Sequence, residues 1–210
     1  MSGPTIVLAS QSPARLATLR SAGLDPEVVV SGVDESVLDH VTDPAELSLG
    51  LARLKAEAVV DRLPPRPGTV LVVGCDSVLE LDGEIHGKPA DAEEATARWR
   101  RMRGRSGTLH TGHCLVEVRD GVRREVARSA STVVRFADVD DAEVEAYVAT
   151  GEPLQVAGAF TLDGLGGAFV SGVEGDPHTV VGIGLPLLRE LCGELGHRWT
   201  DLWTARHGEA

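Results

Sequence analysis

Short apolar runs alternate along this chain with segments that carry helix-start signals, and this alternation limits the possible folds most strongly. Thr5 to Ala9 and Val70 to Cys75 are apolar and rich in β-branched residues, as buried strands are. Ser12 and Asp43 each precede a proline, which is typical of a capping residue followed by the first helical residue. Strand and helix segments in alternation predict an α/β fold.

Two hairpin signals make the predicted sheet mixed rather than wholly parallel. Asp82-Gly83 follows an apolar segment that ends at Leu81, and Asp120-Gly121 separates two long segments, Thr108 to Val118 and Val122 to Phe136. A further strand is predicted at Glu27 to Val30, and further helices from Asp43 towards Pro64, from Asp91 to Gly104, from Asp140 to Gly151 and near Pro186 to Leu195. The sequence therefore predicts a mixed, twisted sheet flanked by helices, in one domain over residues 1–210 with a polar tail at 197–210.

The charge balance excludes several classes of partner. Twenty basic residues against thirty-two acidic ones give a formal net charge of −12, which repels nucleic acids and anionic membranes. A polyanionic substrate would therefore need basic residues gathered locally, with a divalent metal. The apolar runs are too short to span a bilayer, and the N-terminus lacks a signal-peptide pattern. Three widely spaced cysteines fit neither a disulfide framework nor a zinc site, so we expect a cytoplasmic protein.

The turn after the first strand, residues 8–15, is the first candidate site. A strand that ends in Ser10 and Ser12 and leads into a helix offers free backbone N–H groups and the positive end of the helix dipole, which suits a phosphate. Arg15 in the first helical turn could add two hydrogen bonds to that phosphate. The local pattern alone favours the simpler alternative of ordinary capping with a solvent-facing arginine.

Two further segments each allow two interpretations. Asp34 and Glu35 follow the second strand and could bind a divalent cation, or could form a solvated turn. Lys55 falls at the edge of the apolar stripe of its helix, between Leu51 and Val59. It could neutralise phosphate oxygens in a cleft, or extend along the surface as such lysines usually do.

The strongest single signal is Asp76, which directly follows the apolar segment 71–75. A buried aspartate without a partner costs stability, so this position indicates a metal ligand, a base or a tightly hydrogen-bonded turn. Gly74 would let another group approach the backbone closely, and Lys88 could bring a positive charge near Asp76. The neighbouring Cys75 is interpreted as a small buried residue rather than a nucleophile.

One cluster of basic residues is interpreted as a solvated helix face rather than as part of a site. Its members lie on the helix predicted from Asp91 to Gly104 or directly after it, where the last turn complements the helix dipole: Arg98, Arg100, Arg101, Arg103 and Arg105.

Taken in order, these segments resemble the Maf family, and the resemblance runs from about Ile6 to Gly196. The motifs that carry it are LASQSPAR at 8–15, VDE at 33–35, LARLKA at 51–56, GCDSV at 74–78, GKP at 87–89, TG at 111–112, YVATGEP at 147–153 and AGAF at 157–160. The similarity is greatest to actinobacterial members.

This resemblance implies an elongated α/β fold with two lobes around a central cleft, similar to inosine triphosphatases, and commonly a homodimer. It implies a nucleoside triphosphate pyrophosphatase that uses Mg²⁺ or Mn²⁺ and releases a nucleoside monophosphate and pyrophosphate. The family is linked to cell-division arrest and to the removal of noncanonical nucleotides.

The resemblance also implies roles for individual residues. The phosphate-binding motif falls on Ser10 and Arg15, with Ser12 in the same turn; the conserved acid falls on Glu35, the two lysines on Lys55 and Lys88, and the proton acceptor on Asp76. Glu35 and Asp76 would bind the metal.

Two positions depart from the family pattern. Ala14 stands where members usually carry a first arginine, so one phosphate contact is absent or supplied elsewhere. Asp163 aligns with the substrate-binding glutamine of members that prefer pyrimidine nucleotides, which leaves the preferred base open.

Two other activities compete with the pyrophosphatase. A non-catalytic nucleotide-binding regulator of cell division would need the phosphate-binding turn but not both acids. A phosphatase that removes only the terminal phosphate would release orthophosphate instead of pyrophosphate.

Overall fold

A computed structural model describes residues 3–204, which form one seven-stranded sheet with helices on both faces. The strands are β1 (Thr5–Leu8), β2 (Glu27–Val28), β3 (Thr69–Leu81), β4 (Glu84–His86), β5 (Ser106–Arg119), β6 (Val122–Phe136) and β7 (Val170–Glu174). The α-helices are α1 (Pro13–Ser21), α2 (Pro44–Val60), α3 (Ala92–Met102), α4 (Asp141–Ala149), α5 (Pro177–Val181) and α6 (Leu185–Glu194).

The sheet is mixed, as the sequence predicts. Its order is β2-β1-β3-β5-β6-β7, and the short β4 also pairs with β3. β1 runs parallel to β2 and β3, whereas all the other pairs are antiparallel. Both predicted hairpin turns are confirmed: the β3–β4 turn holds Asp82 and Gly83 at φ 57° and 78°, and the β5–β6 turn holds Asp120 and Gly121 at φ 52° and 79°.

The predicted strand end at Cys75 is wrong. β3 continues without interruption through Asp76, because β5 pairs with it residue by residue from Thr69 to Glu80. Gly112 of β5 lies directly opposite Asp76. The aspartate is therefore in the middle of a central strand, where its backbone is fixed, rather than in a turn.

The other edge of β3 has a gap in its strand pairing. β1 pairs with residues 70–73 and β4 with residues 79–81, so in the described part of the chain no strand pairs with residues 74–78 on that edge. The last bond on the β1 side runs from the Ala9 amide to the Val73 carbonyl, at 2.8 Å. The gap lies beside Asp76, between the end of β1 and the end of β4.

Three apolar clusters hold the helices on the sheet. α2 packs on one face through Ala52, Ala56 and Val59, which meet Val70 and Val72 of β3. α1 and α6 pack on the opposite face of β1 and β3. The third cluster surrounds the fully buried Trp99 of α3, whose ring makes edge-to-face contacts with Phe136, Tyr147 and Phe169.

Several segments differ from the sequence predictions. The glycine-rich stretch 158–184 contains β7 and α5, which were not predicted, and β2 is two residues shorter than expected. The predicted polar tail folds back in part: Trp199–Leu202 forms a 3₁₀ turn, and Leu202 is buried. The rest of the predicted tail, residues 205–210, lies outside the described residues. Among the described helices, none is both long enough and apolar enough to cross a membrane.

Candidate active site

The turn between β1 and α1 is built by two serines with different tasks. Ser12 caps α1, as predicted, because its Oγ accepts a hydrogen bond from the Arg15 amide at 3.3 Å. The Oγ of the buried Ser10 accepts from the Ser12 amide at 3.1 Å and from Arg15 Nη1 at 3.2 Å. The side chain of Ser10 thus joins the turn to the guanidinium.

Arg15 is held at three points and does not extend into solvent, so the interpretation as a solvent-facing arginine is wrong. Besides Ser10, its Nε donates to the Gly182 carbonyl at 2.7 Å and its Nη2 to Ser77 Oγ at 3.2 Å. These partners come from the β1–α1 turn, from β3 and from the loop after α5. A guanidinium fixed from three directions is preorganised for an anion.

Lys55 joins both candidate acids. The lysine is only 9% exposed, and its Nζ contacts Asp76 Oδ1 and Glu35 Oε1, the latter at 2.8 Å. Glu35 begins a short 3₁₀ turn that Asp34 caps, and its side chain stays half exposed. Two carboxylates therefore surround one cation at the edge of the β3 gap, and the alternatives of an extended surface lysine and a purely solvated turn are wrong.

Two glycines allow α2 to bring Lys55 onto the sheet. A Cβ at Gly74 would lie 2.2 Å from the Ala52 carbonyl oxygen, and one at Gly112 would lie 2.2 Å from that of Ser48. Both distances are far below a van der Waals contact, so α2 lies directly on the backbone of β3 and β5. The close approach predicted at Gly74 is confirmed, and it places Lys55, less than one turn after Ala52, over Asp76.

Burial dominates the electrostatics of Asp76. Its removal from water raises the pKa of the carboxyl above the ordinary value, although the positive charges of Lys55 and Arg15 act in the opposite direction. A carboxylate in this environment binds a proton more readily than an exposed aspartate, as a general base requires. Burial also raises the pKa of the Cys75 thiol to about 12, which supports its interpretation as an inert core residue.

Lys88 and Asp163 lie apart from this cluster. Lys88 is exposed just after β4, and it forms no hydrogen bond or ion pair with any residue of 3–204. Because His86 pairs with Leu79, the antiparallel direction carries the chain towards the gap in β3, so Lys88 flanks the gap from the β4 side. Asp163 is exposed in the turn before the 3₁₀ segment Leu165–Phe169 and makes no contact with the cluster among the described residues.

A chain of hydroxyl groups supports Arg15, and the sequence motifs did not predict it. Ser77 Oγ lies 2.9 Å from Thr111 Oγ1, which donates to the Thr179 carbonyl at 2.9 Å. Ser77 and Thr111 occur in the motifs of the family resemblance, but the spacing assigned them no role. The available signal was that both are polar residues in predicted apolar strands. In the structure they lie directly opposite each other on β3 and β5, so their side chains share one face of the sheet.

His113 anchors the loop that supplies the Gly182 carbonyl to Arg15. Its Nε2 accepts from the Gly184 amide at 2.7 Å, and its Nδ1 lies 3.0 Å from the Thr111 carbonyl. These two partners require a neutral ring with the proton on Nδ1. Burial is the largest cause of the change in its pKa, which is lowered to about 4.

This neutral histidine predicts a loss of stability in mild acid. Between pH 6.5 and 4 the unfolded chain binds a proton at this residue and the folded chain does not. The free energy of unfolding therefore decreases as the pH is lowered through that window. The expected loss from His113 is about 3 kcal/mol, and this residue adds no further loss below about pH 4. Urea unfolding at several pH values measures it.

The matched variants are His113→Gln and His40→Gln, the second at an exposed position. The first should lack this part of the pH dependence, because glutamine cannot take up a proton there, and the second should retain it. An unchanged pH dependence in His113→Gln would contradict the assignment.

Comparisons with known proteins bear on the site. A model of the Maf-like protein family matches residues 5–195. A protein of Salinispora tropica named nucleoside triphosphate pyrophosphatase is 62% identical over 201 residues, which cover 95% of this chain and 87% of that protein. One of the same name from Streptomyces avermitilis is 60% identical over 201 residues, covering 96% of this chain and 95% of its own length.

A solved structure of a nucleoside-triphosphatase, a dITP/XTP pyrophosphatase from Mycobacterium abscessus, also matches. It is 18% identical and has a TM-score of 0.34, with coverage of 64% of this chain and 74% of that chain.

Proposed function

Because the chain belongs to the Maf-like protein family, we propose that it hydrolyses nucleoside triphosphates between the α and β phosphates and releases a nucleoside monophosphate and pyrophosphate. The observation that carries the proposal is the convergence of Arg15, Lys55 and Asp76 beside the gap in β3. The relatives named above bear the name of this activity.

The cationic groups suit the phosphates. Phosphoryl transfer needs positioning and charge neutralisation more than covalent chemistry. In the proposal, amides of the β1–α1 turn other than those of Ser12 and Arg15, together with the fixed guanidinium of Arg15, bind the phosphate chain from one side of the gap. Lys88 reaches it from the other side, and Lys55 neutralises charge from the α2 face.

Asp76 is the residue that acts on water in this proposal. Its carboxylate orients the attacking water and accepts the proton that the water loses as its oxygen attacks the phosphorus atom. The rigid central strand holds the carboxylate in place, and Lys55 keeps its charge compensated before the substrate arrives.

A divalent cation fits the donor set of Glu35 and Asp76. Both carboxylates contact the same Lys55 Nζ, so their oxygens lie close enough to each other to share a divalent cation. Among residues 3–204 no set of three or more Asp, Glu, His or Cys is placed to hold a metal, so an ion bound here would take its other ligands from phosphate and water, as Mg²⁺ commonly does. Mg²⁺ or Mn²⁺ would supply charge stabilisation on the phosphate oxygens.

The proposal extends to the setting expected from the family resemblance. It includes a cytoplasmic location, a homodimer, a link to cell-division arrest and the removal of noncanonical nucleotides, with the base preference set near Asp163. Val28 of the short edge strand β2 and Val30 just after it are both about half exposed, and they offer apolar surface that a second copy of the chain could cover.

The test is a panel of canonical and modified nucleoside triphosphates with Mg²⁺ or Mn²⁺, in which pyrophosphate and orthophosphate are measured separately. We expect pyrophosphate and nucleoside monophosphate in equal amounts, and no turnover with a chelator. Orthophosphate alone would indicate a terminal phosphatase. Tight nucleotide binding without either product would indicate the non-catalytic regulator.

A further inference from the structure

The backbone around Lys88 is fixed although the lysine side chain is exposed. The carbonyl of Gly87, directly before it, accepts hydrogen bonds from Arg98 Nη1 at 2.6 Å and from the Gly158 amide at 3.0 Å. The amide of Ala90, two residues after it, donates to Glu94 Oε2 at 2.8 Å. Both ends of the segment 87–90 are therefore tied to α3.

One ion pair connects these two ties. Arg98 Nη2 donates to Glu94 Oε1 at 2.5 Å, so the same two side chains hold Gly87 through the guanidinium and Ala90 through the carboxylate. Arg98 is only 4% exposed, which corrects its interpretation as part of a solvated helix face. A buried guanidinium is costly unless its donors are satisfied, and here they are used on the segment that carries Lys88.

The third tie comes from the turn 157–159. Gly158 adopts φ 75°, and a Cβ there would lie 2.9 Å from the Cβ of Leu79, so this turn presses directly on β3. Trp99 Nε1 holds the turn by donating to the Ala159 carbonyl at 2.7 Å. The Gly158 amide is thereby aimed at the same Gly87 oxygen that Arg98 binds.

We infer that Arg98, with Glu94, is a positioning residue that holds Lys88 at the flank of the β3 gap, where it binds the phosphate chain of the substrate. The inference rests on the proposed function. A lysine side chain is long and flexible, so only a fixed backbone confines its ammonium group to one side of the gap. Without the tie, the segment 87–90 would move and Lys88 would reach the phosphates for a smaller fraction of the time.

The test is a double-mutant cycle with Arg98→Gln, Lys88→Ala and the double variant, measured by pyrophosphate release. Lys88→Ala should lower kcat/KM by about 30-fold, the loss of one charge-assisted contact. Arg98→Gln should lower it about tenfold in the wild-type background, and less than about twofold when Lys88 is already alanine. Arg98→Lys, which keeps one donor for Gly87, should restore part of the loss.

Arg100→Gln is the matched control, because this arginine lies on the same helix and, among residues 3–204, forms ion pairs only with the exposed Asp141 and Glu145. It should change kcat/KM by less than about twofold. If Arg98→Gln fails to fold, Glu94→Ala takes its place in the cycle, because it removes both the ion pair to Arg98 and the acceptor of the Ala90 amide.

The inference would be overturned if Arg98→Gln had equal effects in both backgrounds, or if Lys88→Ala had no effect. In either case, pyrophosphate release by the wild type would leave the proposed function intact. If the wild type released no pyrophosphate, the proposed function would fail. The same cycle, measured as the Kd of an α,β-methylene nucleoside triphosphate, would still decide whether Arg98 acts through Lys88.

Discussion

Asp76→Asn is expected to lower kcat for pyrophosphate release by about 10³-fold, because asparagine has the same shape but cannot accept a proton from water. It also removes one of the two carboxylates that would hold a divalent cation. The fold should survive, since Lys55 keeps its ion pair with Glu35 at 2.8 Å. Steady-state kinetics and circular dichroism on the purified variant measure the two effects separately.

Glu80→Gln is the matched control. Glu80 lies four residues further along β3 and on the same face, but it pairs with His110 rather than with Lys55. Its neutralisation should change kcat by less than about twofold. Near-normal pyrophosphate release by Asp76→Asn would show that the proposed mechanism is wrong.

The same prediction has a pH signature. Because burial raises the pKa of Asp76, kcat/KM of the wild type should fall on the acid side at a pH above the ordinary aspartate value of 3.8. The residual activity of Asp76→Asn should lack that acid limb.

Gly74→Ala is expected to lower both stability and activity by a large amount. The new Cβ would lie 2.2 Å from the Ala52 carbonyl oxygen and 2.9 Å from the Ala56 amide, and neither backbone atom can move without shifting α2. Overpacking of this kind should cost about 3 kcal/mol of unfolding free energy. A shift of α2 also moves Lys55 away from Asp76, so kcat/KM should fall by about 100-fold.

Gly172→Ala provides the control for this steric argument. Gly172 lies in β7, where an added Cβ would meet nothing within 4 Å, so its effect on stability should stay within about 0.5 kcal/mol. Urea unfolding and kinetics on both variants test the comparison. Wild-type stability in Gly74→Ala would mean that α2 does not lie on β3 in solution as described.

The sequence predicted the local parts of the fold well. The caps at Ser12, Asp43, Asp91 and Asp140 are all confirmed as the residues that begin α1, α2, α3 and α4. In each cap a side chain accepts a hydrogen bond from the amide three residues later, so a few neighbouring residues contain all the necessary information. The hairpin turns were predicted for the same reason, because each depends on two adjacent residues, an aspartate and a glycine, that adopt positive φ.

The sequence could not predict features that depend on distant partners. The continuation of β3 through Asp76 requires the hydrogen bonds of β5, and the burial of Arg98 requires the carbonyl of Gly87. A helical wheel places an arginine on a face, but it does not show what covers that face. The strand β7 was missed because a glycine-rich segment lacks the apolar alternation that indicates a strand.

The sequence by itself determined where helices begin, where hairpins turn and which charged side chains the chain offers. Only the tertiary structure decided which of them meet: Lys55 reaches Asp76 because α2 crosses the sheet on two glycines, and Arg15 reaches the Gly182 carbonyl across 167 residues of chain. Local structure follows from short-range hydrogen bonds and sterics, whereas these encounters depend on how strands pair and layers pack, which the whole core sets cooperatively.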